Sequence, residues 1–128
     1  MSDLSKRNKA NNDAGKRWQR DLLKHLREVG FDAEPGPKAG ATKDEGDTIV
    51  RLDQARIVIE AKNEKRVDLA GYVTEATREA VHYAQARTYD VDKVLPLAVI
   101  KRRMAHTGKA YAVVELDALL RFLRAIGA

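Results

Sequence analysis

The sequence contains no cysteine and no long apolar run, and each absence excludes a class of protein. Without cysteine there is no disulfide framework, and the three histidines lack a spacing that suggests zinc. No apolar segment approaches the roughly 20 residues that a helix needs to cross a bilayer, so we expect no membrane protein. The basic residues among the first ten are not followed by an apolar stretch. We therefore expect a cytoplasmic protein, at the nucleoid or, if viral, in the host cytoplasm.

Charge is plentiful but unevenly distributed along the chain. The 128 residues fit one domain and carry a net charge of +5, with a pI near 9.6. Residues 1–20 and 101–128 each carry +4, whereas residues 21–100 carry −3. The basic total predicts a polyanionic partner. The acidic middle indicates either ordinary solvated surface or a site that gathers carboxylates.

The apolar pattern divides the chain into two parts. Residues 1–12 are polar and basic without an apolar period, which predicts a flexible basic arm that could rest on phosphate. Residues 13–128 are predicted to form a single domain. It begins with a helix over 13–29, where apolar residues from Trp18 onward recur at helical spacing and Gly30 can end the helix in a left-handed conformation. Trp18 is expected to anchor the core or a dimer.

Strand and helix patterns alternate in the rest of the chain. A short strand and a Gly- and Pro-rich loop precede two strands that are separated by Asp53-Gln54 and should form a hairpin. A helix, two strands and a closing helix follow. The order αβββαββα predicts an α/β domain with a central mixed β-sheet of about five strands flanked by helices. The predicted strands are 31–34, 47–52, 55–62, 94–100 and 110–114. The loop is 35–46, and the two later helices are 68–86 and 117–126.

Two carboxylates and a lysine converge in the predicted hairpin. Alternate strand residues share a face, so Glu60 and Lys62 point to one side. With a two-residue turn, Asp47 faces Glu60, and facing Cβ atoms lie about 4.5–5.5 Å apart. Two ionised carboxylates so close are costly unless a cation lies between them, and Mg²⁺ prefers oxygen ligands. The pattern favours a site for phosphodiester hydrolysis in which Lys62 orients or deprotonates the attacking water; surface charge is the alternative interpretation.

These residues give the chain a resemblance to a nuclease superfamily. The chain resembles the PD-(D/E)xK nucleases, and specifically the small Holliday junction resolvases of the archaeal and phage type, in elements between Gly15 and about Ile100. The matching elements are Gly15 with Gln19-Arg20, Gly30-Phe31, the loop from Gly40 to Thr42, Gly46-Asp47 and Glu60-Ala61-Lys62. The resemblance implies a restriction-endonuclease-like core.

The resemblance also implies roles for single residues. It implies that Asp47, Glu60 and the carbonyl of Ala61 bind Mg²⁺, with Mn²⁺ as a substitute, and that Lys62 is catalytic. Thr42 is the nearest match to a catalytic-loop hydroxyl that touches the scissile strand.

The chain departs from the family pattern at two positions. Gly46 stands where the superfamily has proline, and Gln19 replaces an acidic residue of the first helix that often helps to hold metal. The Gln19 amide can bind a cation only weakly through its oxygen. Glu75 and Glu79 of the second helix could substitute for it, but we expect them on the solvated face of that helix.

Basic residues near the matching elements are expected to contact DNA phosphates. They are Lys16, Arg17, Arg20, Lys43, Lys101, Arg102 and Arg103.

The expected function is a Mg²⁺-dependent, structure-selective DNA endonuclease that cuts branched double-stranded DNA at four-way (Holliday) junctions. Because a junction offers two equivalent cuts, a two-fold homodimer is expected. The first alternative is another nuclease with the same core, of restriction-like, repair or exonuclease type. The second is a DNA-binding module whose nuclease site has decayed.

Overall fold

Helices and strands follow one another in the predicted order. The structure is a computed structural model that describes residues 3–37 and 44–128. The elements are α1 (Asp3–Glu28), β1 (Asp32–Pro35), β2 (Thr48–Leu52), β3 (Ala55–Lys62), α2 (Leu69–Arg87), β4 (Val94–Ile100), β5 (Tyr111–Val113) and α3 (Leu116–Ala125), with 3₁₀ turns at Val91–Lys93 and Thr107–Lys109. Among the helices that the structure describes, none is long and apolar enough to span a membrane.

The five strands form one mixed sheet in the order β1-β2-β3-β4-β5. Neighbouring strands are antiparallel except β3 and β4, which run parallel and are joined through α2. Parallel neighbours need such a crossover, whereas β2 and β3 need only the two-residue turn Asp53-Gln54. The predicted α/β class, with a mixed sheet flanked by helices, is confirmed.

Helices cover both faces of the sheet, which places the side chains of β3 in two environments. On one face, Trp18 of α1 is buried in a cluster with Val50 and Ile59. On the other face, Ala80 and neighbouring residues of α2 pack against Val58. Because alternate residues of a strand share a face, Glu60 lies on the α2 side with Val58.

The start of α1 differs from the sequence prediction. The helix begins at Asp3, not at Asp13, and includes most of the predicted basic arm. The described side chains between Lys9 and Asp13 are exposed. An apolar period reports which residues pack, but helical hydrogen bonds need no packed face, so this part of the helix leaves no periodic signal. The end of α1 matches the prediction, since Gly30 has a φ of +98°.

Candidate active site

Asp47 is held at the start of β2 by contacts with the end of β3. The strands pair with Thr48 opposite Ile59, which is the register predicted from the two-residue turn. The Asp47 N–H donates to the Ile59 carbonyl at 2.9 Å, and its Oδ2 accepts from the Ala61 N–H at 2.9 Å. Gly46 precedes it with a φ of +98°, and a Cβ there would lie 2.5 Å from Cγ1 of Val58. Glycine at this position therefore allows the chain to bring Asp47 against β3.

Lys62 lies in an acidic environment on the α2 side of the sheet. Its Nζ is 2.7 Å from Oε2 of Glu75 and 3.5 Å from Oε1 of Glu60. The ammonium also lies 5.2 Å from the centre of the Tyr72 ring. Burial lowers the pKa of Lys62, but the hydrogen bond to Glu75 and the charges of Glu60 and Glu75 together raise it above its usual value. Lys62 is therefore held as an ammonium group that can donate hydrogen bonds and offset negative charge.

Glu79 is a deeply buried carboxylate beside Glu60. The residue is 1% exposed, and neither of its side-chain oxygens has a hydrogen-bond partner among the described residues. Oε2 of Glu60 is likewise buried without a partner. Burial, together with the neighbouring Glu60 and Asp44 carboxylates, raises the pKa of Glu79. Either a shared proton or a bound cation would relieve this crowding of carboxylates.

The donor set fits a hard divalent cation. One oxygen from each of Asp44, Glu60 and Glu79 lies within 4.8 Å of the others. Asp47 belongs to the same group of charges, because burial and the charge of Glu60 raise its pKa to about 7 although its bond with the Ala61 N–H lowers it. Carboxylate oxygens are the ligands preferred by Mg²⁺ and Mn²⁺. The buried acidic cluster could therefore bind a metal ion.

The predicted metal residues lie on different sides of this cluster. Glu60 is on the α2 side, and Asp47 reaches it from the start of β2. Gln19 is half-buried on α1 and lines a cavity of about 400 Å³ with Asp47, Lys16 and Arg20. Ala61 contributes its N–H to Asp47. The structure thus brings Asp47, Glu60 and Lys62 together, with Gln19 on the opposite side of Asp47.

Exposed basic residues of α1 lie next to the site. Lys16, Arg17 and Arg20 are exposed on α1. A second cavity of about 720 Å³ lies between α1 and the end of β3, and its lining includes Asn12, Lys62 and Lys65.

A second basic segment starts next to Lys62. The Lys101 N–H donates to the Lys62 carbonyl at 2.9 Å, so the segment from Lys101 to Arg103 leaves the sheet where β3 ends. All three side chains of this segment are exposed, and the Arg102 guanidinium stacks 4.7 Å from the centre of the Tyr111 ring. The remaining predicted DNA and catalytic residues, Thr42 and Lys43, lie outside the described residues.

Sequence reasoning missed two acidic members of the cluster. Glu79 was expected on the solvated face of α2, and this was wrong, because the helix turns it onto Glu60. The signal was present: Glu79 follows Ala76 by three residues and precedes Ala80, and both alanines are buried. A glutamate inside a stripe of small residues must lie against whatever the stripe packs on. Asp44 carried no comparable signal, since it belongs to the predicted loop 35–46, where no apolar period shows which way a side chain points.

This chain is similar in structure to an archaeal protein of known structure. No protein-family model matches the chain, and no curated protein matches it. Among solved structures, the chain is similar to Hjc of Archaeoglobus fulgidus, a Holliday junction resolvase from an archaeal hyperthermophile, at 22% sequence identity and a TM-score of 0.49. The similarity covers 72% of this chain and 67% of that one.

Proposed function

We propose that this protein is a Mg²⁺-dependent DNA endonuclease that hydrolyses phosphodiester bonds in branched double-stranded DNA, at four-way junctions, as a homodimer. The observation that carries the proposal is the convergence of Asp47, Glu60 and Lys62 where β2 starts and β3 ends, beside partnerless buried carboxylate oxygens. Carboxylates and an ammonium group at the end of a sheet, bordered by exposed cations, suit the cleavage of a polyanion.

Asp47 and Glu60, with the carbonyl of Ala61, are the proposed metal ligands. A divalent cation bound there would polarise a phosphate oxygen and lower the pKa of a water molecule. The backbone N–H of Ala61 fixes the Asp47 carboxylate, so this ligand is oriented before the substrate arrives. Mn²⁺ is expected to substitute for Mg²⁺, because both take oxygen ligands.

Lys62 is proposed to position the attacking water and to offset the negative charge that develops on the phosphate. Its hydrogen bond to Glu75 and its proximity to Glu60 keep it charged and hold it near the carboxylates. An oriented ammonium stabilises the transition state without having to reorganise. Deprotonation of the water by Lys62 itself is less consistent with the raised pKa of this group.

The DNA backbone is proposed to lie against the two basic segments beside the site. Lys16 and Arg20 border the cavity that contains Asp47, and Lys101 leaves the sheet beside Lys62. Such contacts to phosphate position a duplex without reading its bases. Selection of a four-way junction would then depend on the shape of the DNA.

A homodimer is proposed because a four-way junction presents two equivalent strands to cut. On α3, the exposed residues Leu116, Leu120 and Leu123 are separated by four and three positions and so lie on one helix face. We propose this apolar stripe as the contact between the two copies of the chain.

The deciding experiment is cleavage of a labelled four-way junction by the purified protein in Mg²⁺. We expect paired, symmetric nicks that EDTA abolishes. Asp47→Asn, Glu60→Gln and Lys62→Ala should each slow cleavage by roughly 100-fold or more while the protein still binds the junction. Asp53→Asn is the matched control, because Asp53 is an exposed carboxylate in the turn at the opposite end of β3.

The alternatives predict different outcomes in the same assay. Equal cutting of a linear duplex would overturn junction selectivity and leave a general nuclease. Junction binding without cleavage in either metal would indicate a DNA-binding module whose nuclease site has decayed. Cleavage that all three variants retain would overturn the assignment of the site.

A further inference from the structure

Glu79 requires an explanation that the proposed metal site at Asp47, Glu60 and the Ala61 carbonyl does not supply. It projects from the middle of α2, is 1% exposed, and has two side-chain oxygens without a hydrogen-bond partner in the described part of the chain. Burying an unpaired carboxylate costs several kcal/mol, on the order of 2–7 even for a neutral polar group. A protein therefore retains such a residue only where a cation or a proton compensates it.

The nearby cations of the described chain are occupied by other acids. Lys62 pairs with Glu75 and Glu60, and Arg87 pairs with Glu45 at 3.1 Å. No ion pair of Glu79 is found among residues 3–37 and 44–128. Among the described residues, the compensating charge is therefore left to a proton or a bound ion.

Two other carboxylates face Glu79. Oε2 of Glu60 is also buried without a partner, and one oxygen each of Asp44, Glu60 and Glu79 lies within 4.8 Å of the others. Oxygens bound to one cation at about 2.0–2.6 Å lie at most about 5 Å apart, so this spacing allows a single ion to contact all three. Oxygen-only ligands select Mg²⁺, Mn²⁺ or Ca²⁺ over softer metals.

The segment that contains Asp44 is bound to α2, the helix that contains Glu79, by a hydrogen bond and an ion pair. The Asp44 carbonyl lies 2.9 Å from Nδ1 of His82, and the next residue, Glu45, pairs with Arg87. Oδ1 of Asp44 accepts from the Gly46 N–H at 2.9 Å, which orients the carboxylate. All three carboxylates are therefore positioned by the fold itself.

We infer that Asp44, Glu60 and Glu79 bind a divalent cation of the Mg²⁺ or Mn²⁺ type, here called the inner ion. It is bound in addition to the cation proposed at Asp47, here called the outer ion. Glu60 is shared between the two positions. The inner ion connects β3, α2 and the segment before β2, and it orients Glu60 for the outer site. The inference rests on the proposed function only for the outer ion, because the inner site can be measured without DNA.

The test is a calorimetric titration of the full chain with Mn²⁺ near neutral pH in the absence of DNA. The wild type should bind two ions per chain. Glu79→Gln should lose one binding event and keep the other, and Asp47→Asn should lose the complementary event. The matched control is Asp53→Asn, an exposed carboxylate in the turn at the opposite end of β3, and this variant should still bind two ions.

Asp44→Asn is a second variant of the same site, and it decides the question if Glu79→Gln does not fold. Because Asp44 is exposed, its replacement leaves the core intact, and it should remove the same binding event as Glu79→Gln. One ion per chain in the wild type, or two in both Glu79→Gln and Asp44→Asn, would overturn the inner site.

Failure of the inner site and failure of the nuclease assignment are distinguishable. Two bound ions with no cleavage of any DNA would contradict the proposed function and leave the inner site standing. Mg²⁺-dependent cleavage by a protein that binds a single ion would do the reverse.

Discussion

Single carboxyl groups set the electrostatic cost of this site. Burial and the neighbouring charge of Glu60 disfavour ionisation of Asp47 and of Glu79. Lys62 offsets part of this charge but is shared with Glu75. The metal-free protein therefore keeps protons on acids that would be ionised in an unfolded chain.

Asp47 makes the stability of the metal-free protein dependent on pH. Its pKa rises from 3.8 to about 7 on folding. Between these values the folded state binds more protons than the unfolded state, so the free energy of unfolding falls as the pH rises from about 4 to about 7. In EDTA we expect a loss of about 3 kcal/mol across this range, at about 1.4 kcal/mol per pKa unit, measured by urea unfolding. Glu79 contributes in the same direction.

Variants identify the group responsible. Asp47→Asn should make the pH profile shallower and leave the contribution of Glu79, whereas the exposed Asp53→Asn should leave the profile unchanged. Mn²⁺ should stabilise the wild type more at alkaline than at acidic pH, because the ligands must lose their protons to bind it. A profile for Asp47→Asn that parallels the wild type would contradict the assignment.

At the scale of elements, α2 is both a core helix and part of the site. Ala80 and Tyr83 pack on the sheet, whereas Glu75 and Glu79, which precede them on the helix, face the end of β3. Arg87, near its end, stacks 3.7 Å from the centre of the Tyr83 ring and pairs with Glu45. The helix thus fixes the chain before β2 at the same time as it closes the acidic cluster.

The pair Arg87–Glu45 should contribute more to stability than an exposed pair. Its two side chains are 31% and 11% exposed, against 54% and 47% for Arg121–Asp92. A double-mutant cycle with Arg87→Ala and Glu45→Gln should give a coupling energy of about 1–2 kcal/mol in urea unfolding, because the partner left behind is partly desolvated.

The same cycle at Arg121–Asp92 is the control, and it should give less than about 0.5 kcal/mol. Equal coupling energies at the two pairs would show that burial of the Glu45 carboxylate adds nothing to the attachment of this segment to α2.

For the whole molecule, the unequal distribution of charge acquires a spatial meaning. The acidic middle of the sequence includes Asp44, Asp47, Glu60 and Glu79, which meet at one end of the sheet. The two basic ends supply exposed cations beside it. A cationic surface around a carboxylate cluster attracts a polyanion and leaves the centre available to metal.

The proposed dimer is tested by the mass of the protein in solution. Light scattering after size-exclusion chromatography should give twice the mass of the 14.3 kDa chain. Leu120→Glu should reduce it to that of one chain, because Leu120 is 47% exposed in the centre of the α3 stripe and a charge there would be buried in the contact.

Asp117→Ala on the same helix is the control, and it should leave the mass of the dimer unchanged. A single-chain mass for the wild type at all concentrations would contradict the dimer. An unchanged dimer mass for Leu120→Glu would exclude α3 as the contact.

The sequence by itself determined the order of the elements, the register of β2 against β3, and the shared face of Glu60 and Lys62. These features follow from local rules: the period of a strand, the length of a turn and the alternation of apolar residues. The tertiary structure alone decided that Glu79 is buried, that Asp44 joins it, and that Arg87 holds Glu45. A periodic pattern shows which residues share a face, but only packing shows what that face meets, and the carboxylate cluster is assembled by contacts between segments distant in the chain.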